Sequence, residues 1–188
     1  MPTSDESLIA RAQAGDRRSF DQLVARSYAL TYNTAYRVLG DHDQAADATQ
    51  AAYVRAYRSL PSFRGSSSFT TWPYRIVTNV CLDMVRGRRR HPQSLTEEVE
   101  GPDRDLPDER AGPPERALQT ELQTVVHDAL QRLRPEHRVV LALYDLAGRS
   151  YEDIAEVLQL PLGTVKSRLN RARNALREEM AAYWEPSD

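Results

Sequence analysis

Residues 149–177 read RSYEDIAEVLQLPLGTVKSRLNRARNALR, and their spacing predicts two helices joined by a tight turn. Ser150 is an N-cap residue, and Asp153 three positions on can close a capping box with it. Ile154, Ala155, Val157 and Leu158 then give the first helix an apolar face. Gln159-Leu160-Pro161 ends it, because Pro161 lacks the N–H that continuation needs and biases Leu160 away from helical geometry. On the second helix Val165, Leu169, Ala172 and Leu176 fall in one stripe, the side that must bury. Gly163, Ser167, Asn170, Arg171 and Asn174 point the other way, flanked by Thr164, Lys166, Arg168 and Arg173. Short polar groups and an Arg on the outward face suit the DNA major groove, with Ser167, Asn170 and Arg171 toward base edges and the flanking cations toward phosphates. A solvated basic face is the plainer alternative for such a charge run.

Cap, breaker and basic helix together carry a resemblance. YEDIAEVLQLPLGTVKSRLNRARNALRE is similar to the C-terminal helix-turn-helix of bacterial extracytoplasmic-function (group four) sigma factors, most closely in GTVKSRL and RAR. That resemblance implies recognition of a minus-thirty-five promoter element by Arg149, Thr164, Lys166, Ser167, Arg168, Arg171 and Arg173. Ser167 and Arg171 would meet bases, and Lys166, Arg168 and Arg173 phosphates.

The 188 residues suit one ordinary domain or two small ones, and 40% hydrophobic residues support cores of modest size. The formal net charge of −2 is a poor guide, because the charges are segregated. Residues 1–91 carry 13 Lys and Arg against 8 Asp and Glu, whereas residues 92–117 carry 3 against 8. In residues 118–188 the cations gather in the recognition helix. Cys81 stands alone, which excludes a disulfide framework, and His42, His91, His127 and His137 have no ligand spacing. No catalytic constellation, metal site or cofactor is expected. No apolar run reaches transmembrane length and no signal peptide opens the chain, so a cytoplasmic protein without membrane insertion is expected.

Taken in order, Thr3 or Ser4 can cap a helix DESLIARAQA that Gly15 ends, and Asp16 can cap the next, which runs to Gly40. The third helix, QAADATQAAYVRAYRSL, places Tyr53, Val54, Tyr57 and Leu60 on or near one side and Asp47, Gln50 and Arg58 at polar positions, which a solvated face also explains. Residues 60–68 read as a loop. Phe69, Trp72 and Tyr74 follow it beside Arg64 and Arg75, a grouping that can stack unpaired bases or simply fill a small core. Pro73 is tolerable only in the first turn of a helix. From Tyr74 to Arg90 the spacing buries Ile76, Val77, Val80, Cys81 and Met84 and turns Arg75, Asn79, Leu82 and Arg86 outward, and the basic run at residues 86–90 suits a phosphate backbone.

SFRGSSSFTTWPYRIVTNVCLDMVRGRRR resembles the promoter-melting, minus-ten-reading segment of the same sigma factors, and DQAADATQAAYVRAYRSL resembles their polymerase-gripping helix. The resemblance implies that Phe63, Arg64, Phe69, Trp72, Arg75, Asn79 and Arg86 hold the separated minus-ten strand. It implies that Asp47, Gln50, Tyr53 and Arg58 contact core RNA polymerase. The partners would be the clamp helices of the largest subunit and the flap of that enzyme, promoter DNA and an anti-sigma factor. Two positions depart from the pattern: Pro73 replaces an aliphatic residue, and Ala51 follows Gln50 where an acid is common.

Residues 91–116 hold five of the eleven prolines and a block of acids, and read as a flexible linker. The resemblance threads it near the polymerase active site, where its charge either mimics nucleic acid or serves as a soluble spacer. Helices ALQTELQTVVHDALQRL and EHRVVLALYDLAG, the latter ending at Gly148, lead to the helix-turn-helix, and Met180, Tyr183 and Trp184 are expected to pack a tail helix on that domain. The expected fold is all-α: an N-terminal helical bundle at 1–91, an acidic linker at 92–116 and a C-terminal helix-turn-helix domain at 117–188. The expected function is that of an alternative sigma factor. A free-standing dimeric operator-binding regulator explains the helix-turn-helix but leaves the aromatic loop and the Arg75/Asn79/Arg86 stripe without purpose. A hydrolase built on stray Asp and His residues lacks a constellation.

Overall fold

The computed structural model describes residues 4–63, 71–90 and 113–184, and among these every regular element is helical. Helix α1 (Asp5–Gln13) starts at Ser4, whose side chain accepts from the Ser7 N–H. Helix α2 (Arg17–Leu39) is capped by Asp16, which also takes hydrogen bonds from Ser19 Oγ at 2.8 Å and Arg11 at 2.6 Å. Those bonds hold the Asp16 carboxyl below its ordinary pKa. Helix α3 (His42–Ser59) is capped by Asp41, and a 3₁₀ turn, Leu60–Ser62, continues it where the sequence reads as loop. Helix α4 (Thr71–Arg90) begins three residues earlier than the apolar spacing suggests. Pro73 therefore lies in its first turn, where no intrahelical N–H is needed. Arg64, Phe69 and the linker at 91–112 lie outside the described residues.

Helix α5 (Pro113–Arg132) starts inside the stretch read as linker, because Pro113 and Pro114 fit a first helical turn. Helix α6 (Pro135–Leu141) passes into a π turn, Ala142–Leu146, rather than running on as one α-helix to Gly148. Helix α7 (Tyr151–Leu158) has the expected capping box: Asp153 N donates to Ser150 Oγ at 3.0 Å and Ser150 N to Asp153 Oδ2 at 3.2 Å. It ends on Gln159 in the left-handed region at φ 53°, one residue before the expected breaker dipeptide. Recognition helix and tail form one element, α8 (Leu162–Trp184).

The two halves share one core. Val38, Leu39, Ala48, Val77 and Cys81 of the front half belong to the same buried cluster as Leu130, Val140, Leu143, Ile154, Val165 and Leu169 of the rear half. A smaller cluster around Leu8, Phe20, Leu23, Ala56 and Leu60 holds α1 to the bundle. Specific contacts cross the seam. The rings of Tyr36 and His127 stack at 4.9 Å, and Gln131 Nε2 donates to the Arg37 carbonyl at 3.2 Å. Gly40 ends α2 at φ 79°, and a Cβ there would lie 2.4 Å from Gln131 Cδ, so conformation and close approach both call for glycine. The Arg149 guanidinium lies 5.1 Å from the centroid of the Tyr74 ring, joining the start of α7 to α4. The Tyr74 hydroxyl beneath it is buried and has no hydrogen-bond partner among the described residues, a burial that costs about 1–3 kcal/mol.

Candidate nucleic-acid interface

On α8 the expected division of faces holds. Val165, Leu169 and Ala172 are buried, Leu176 is half-buried, and Gly163, Ser167, Asn170, Arg171 and Asn174 are exposed. Ser167 and Arg171 act as one outward unit: Arg171 Nη2 donates to Ser167 Oγ at 3.1 Å and its Nε to the Ser167 carbonyl at 3.2 Å. Ser167 Oγ itself donates to the Thr164 carbonyl at 3.0 Å, and Asn174 donates to Asn170 one turn further on. A guanidinium held beside a hydroxyl on a helix face clear of the core presents donors and an acceptor to whatever approaches.

The flanking cations are engaged differently. Lys166 Nζ lies 5.7 Å from the centroid of the Tyr151 ring, and Arg173 sits over Tyr144 at 4.9 Å while donating to Asp145 Oδ1 at 2.6 Å. That hydrogen bond to Asp145 raises the Arg173 pKa further. Tyr144 and Tyr151 stack on each other at 5.0 Å, so one flank of the helix rests on an aromatic pair that sequence spacing did not single out. The signal was faint, because the π turn rotates Tyr144 and Asp145 away from their α-helical phase. Half-buried Arg168 borders the other flank. There burial lowers the His137 pKa, and the charges of Arg134, Arg168 and Arg171 lower it further against the opposing Glu136.

In the front half α4 presents Asn79 and Arg86 to solvent and Arg75 half-buried, while Leu82, expected outward, packs half-buried against the core. Ile76 and Met84 are half-buried, and Tyr74 and Thr78 join the buried side, because α7 covers the flank of α4 that a lone bundle would leave open. Arg86 pairs loosely with Asp83 at 4.0 Å. Trp72 is half-buried and its ring lies 4.8 Å from that of Phe63, tilted by 42°. Gln13 Nε2 donates to the carbonyls of Leu60 and Phe63 at 3.0 and 2.7 Å, pinning the chain where it enters the segment before α4. Both aromatics therefore back onto the small core, yet neither is wholly enclosed.

On α3, Asp47, Gln50 and Arg58 are exposed. Tyr53 is turned inward, its hydroxyl within 2.8 Å of Ser27 Oγ and 3.1 Å of Thr31 Oγ1, and burial raises its pKa. Val54 and Tyr57, read as part of the apolar side, are 44% and 42% exposed. They form the rim of a groove of about 500 Å³ between α2 and α3 that Phe20, Tyr28, Gln50 and Arg58 also line. Ala51, at the second departure from the pattern, is half-buried against the core. No described helix is long and apolar enough to cross a membrane.

Comparison with known proteins assigns these surfaces to a family. Residues 23–91 match Sigma-70 region 2 and residues 123–176 match Sigma-70, region 4. The chain is 42% identical over 179 residues to the RNA polymerase sigma-H factor of Pseudomonas aeruginosa, covering 92% of this chain and 91% of the relative. It is 36% identical over 177 residues to the ECF RNA polymerase sigma-E factor of Escherichia coli K12, covering 92% of each. Among solved structures it is similar to CnrH in complex with the cytosolic domain of CnrY, with TM-score 0.71, 27% identity and coverage of 96% and 99% of the two chains. It is also similar to the sigma factor RpoE of Bartonella quintana in complex with the anti-sigma factor NepR, with TM-score 0.67, 25% identity and coverage of 87% and 98%. The chain belongs to the extracytoplasmic-function group of sigma-70 factors, alternative sigma factors that bind core RNA polymerase and direct transcription initiation at promoters.

Proposed function

We propose that the two halves divide the promoter between them. Residues 117–188 read the minus-thirty-five element as duplex, with Ser167 and Arg171 toward base edges and Arg149, Thr164, Lys166, Arg168 and Arg173 around the phosphates. The observation that carries this reading is the Ser167–Arg171 unit standing outward on a helix whose opposite stripe is buried. Residues 1–91 capture the minus-ten strand, with Asn79, Arg75 and Arg86 on one side of α4 and Phe63, Arg64, Phe69 and Trp72 at its entrance. Melting costs pairing and stacking energy, which stacking on aromatic rings and contacts to strand phosphates offset. The chain supplies no catalytic group; the polymerase performs the chemistry, in the cytoplasm.

The apolar groove between α2 and α3, rimmed by Gln50, Val54, Tyr57 and Arg58, is the surface we assign to the clamp helices of the polymerase's largest subunit, with Asp47 beside it. The rear half would meet the flap, and residues 92–116 would bridge the two along the enzyme. An anti-sigma factor is a further partner, a reading supported by the similarity to CnrH and RpoE in their complexes. Val54→Asp and Arg171→Ala separate the assignments. Val54→Asp should abolish binding to core polymerase. Arg171→Ala should keep that binding within about twofold while lowering promoter-dependent transcription roughly tenfold or more. Equal loss of polymerase binding in both variants would overturn the division.

A further inference from the structure

Arg149 is placed at the minus-thirty-five surface by the reading above, and this inference rests on that placement. In the structure its guanidinium covers Tyr74, which adjoins Arg75 of the minus-ten stripe. The two promoter surfaces thus meet within one side-chain contact. The elements they read lie about 25 base pairs apart, or roughly 85 Å of duplex at about 3.4 Å per pair. No closed chain with Arg149 on Tyr74 spans that distance, so reading both elements requires the halves to separate.

The seam is built to hold and to release. It is held by apolar packing, by the Tyr36–His127 stack, by Gln131 on the Arg37 carbonyl and against Gly40, and by Arg149 on Tyr74. It also buries the Tyr74 hydroxyl without a partner among the described residues, which favours release. We propose that Arg149 is a shared residue, latching the halves together on Tyr74 in the closed chain and contacting promoter DNA in the open one, so that closure and minus-thirty-five reading exclude each other. Only the open fraction is competent for DNA, so the apparent affinity is lowered by that fraction. Polymerase and promoter together draw the chain open by binding the separated halves.

The test is energy transfer between dyes on Ala25→Cys in α2 and Glu178→Cys in α8, both exposed, with Cys81 fully buried and out of reach of the dyes. The free chain should give one high-transfer population, and core polymerase with promoter DNA should move it to low transfer. Gln131→Ala weakens the latch without touching a proposed DNA contact. It should raise the low-transfer fraction and tighten binding to a minus-thirty-five duplex about threefold to tenfold, the worth of one hydrogen bond. Gln131→Glu, which can still accept from Arg138 but cannot donate to the Arg37 carbonyl, should do the same and guards against misfolding of the first variant. Arg149→Gln should open the free chain yet lose duplex affinity. A free chain already at low transfer, or latch variants that open with unchanged duplex affinity, would overturn the proposal. If neither form bound the duplex while the free chain stayed closed, the minus-thirty-five reading would fall and this inference with it.

Discussion

Arg173 of the recognition helix donates to Asp145 at 2.6 Å, tying α8 to the π turn while both side chains remain about half exposed. An exposed pair contributes little to stability, so Asp145→Ala should change it by about 0.5 kcal/mol or less. Its effect should show on DNA instead. With the carboxylate gone, Arg173 is available to a phosphate, and the slope of log affinity against log salt should steepen by about 0.9. Titrating a promoter duplex at several salt concentrations checks this; an unchanged slope in both Asp145→Ala and Arg173→Ala would remove Arg173 from the phosphate contacts.

The capping box at Ser150 sets the entry angle of α7, and with it the position of Arg149. Ser150→Ala should cost about 1 kcal/mol, lowering the melting temperature by a few degrees. A calorimetric scan of the two proteins gives the comparison directly.

His137 connects stability to pH. Burial first, and then the cations Arg134, Arg168 and Arg171, lower its pKa in the folded chain. The unfolded chain therefore binds more protons as pH falls through the ordinary histidine range near 6.5, and the folded state loses stability there. His137→Gln should lessen the fall in denaturant midpoint between pH 7.5 and pH 5.5. An unchanged fall would show that His137 is not its source.

Cys81 is fully buried, and burial pushes its thiol up to about 12. At pH 8 roughly one thiol in ten thousand is ionised, so a disulfide reagent should react with the native chain only as fast as the chain opens. Rapid native modification, followed by absorbance, would contradict this burial.

Much of this was legible from residue order. Ser150, Asp153 and the Val165/Leu169/Ala172 stripe act within one or two turns of helix, and local spacing reports such features faithfully. The same logic placed Asn79 and Arg86 outward. It failed at Leu82, Tyr74 and Thr78, because what buries that flank of α4 is α7, some seventy residues away in the chain. Val54 and Tyr57 looked like core for the converse reason: periodicity finds an apolar face but not whether another helix covers it. The π turn adds one residue per turn and moves Tyr144 and Asp145 off the expected phase, bringing them under Arg173. The shared core of the two halves had no local signature, since each half reads as a small bundle by itself.

The central claim is that this chain confers promoter choice on polymerase through its two halves. Run-off transcription with purified core RNA polymerase on a promoter library, with and without the chain, tests it most directly. Discrete transcripts that require the chain, from templates sharing one element near minus ten and one near minus thirty-five, are the expected result. Transcripts that ignore either element, or none at all despite tight duplex binding by the chain alone, would contradict it.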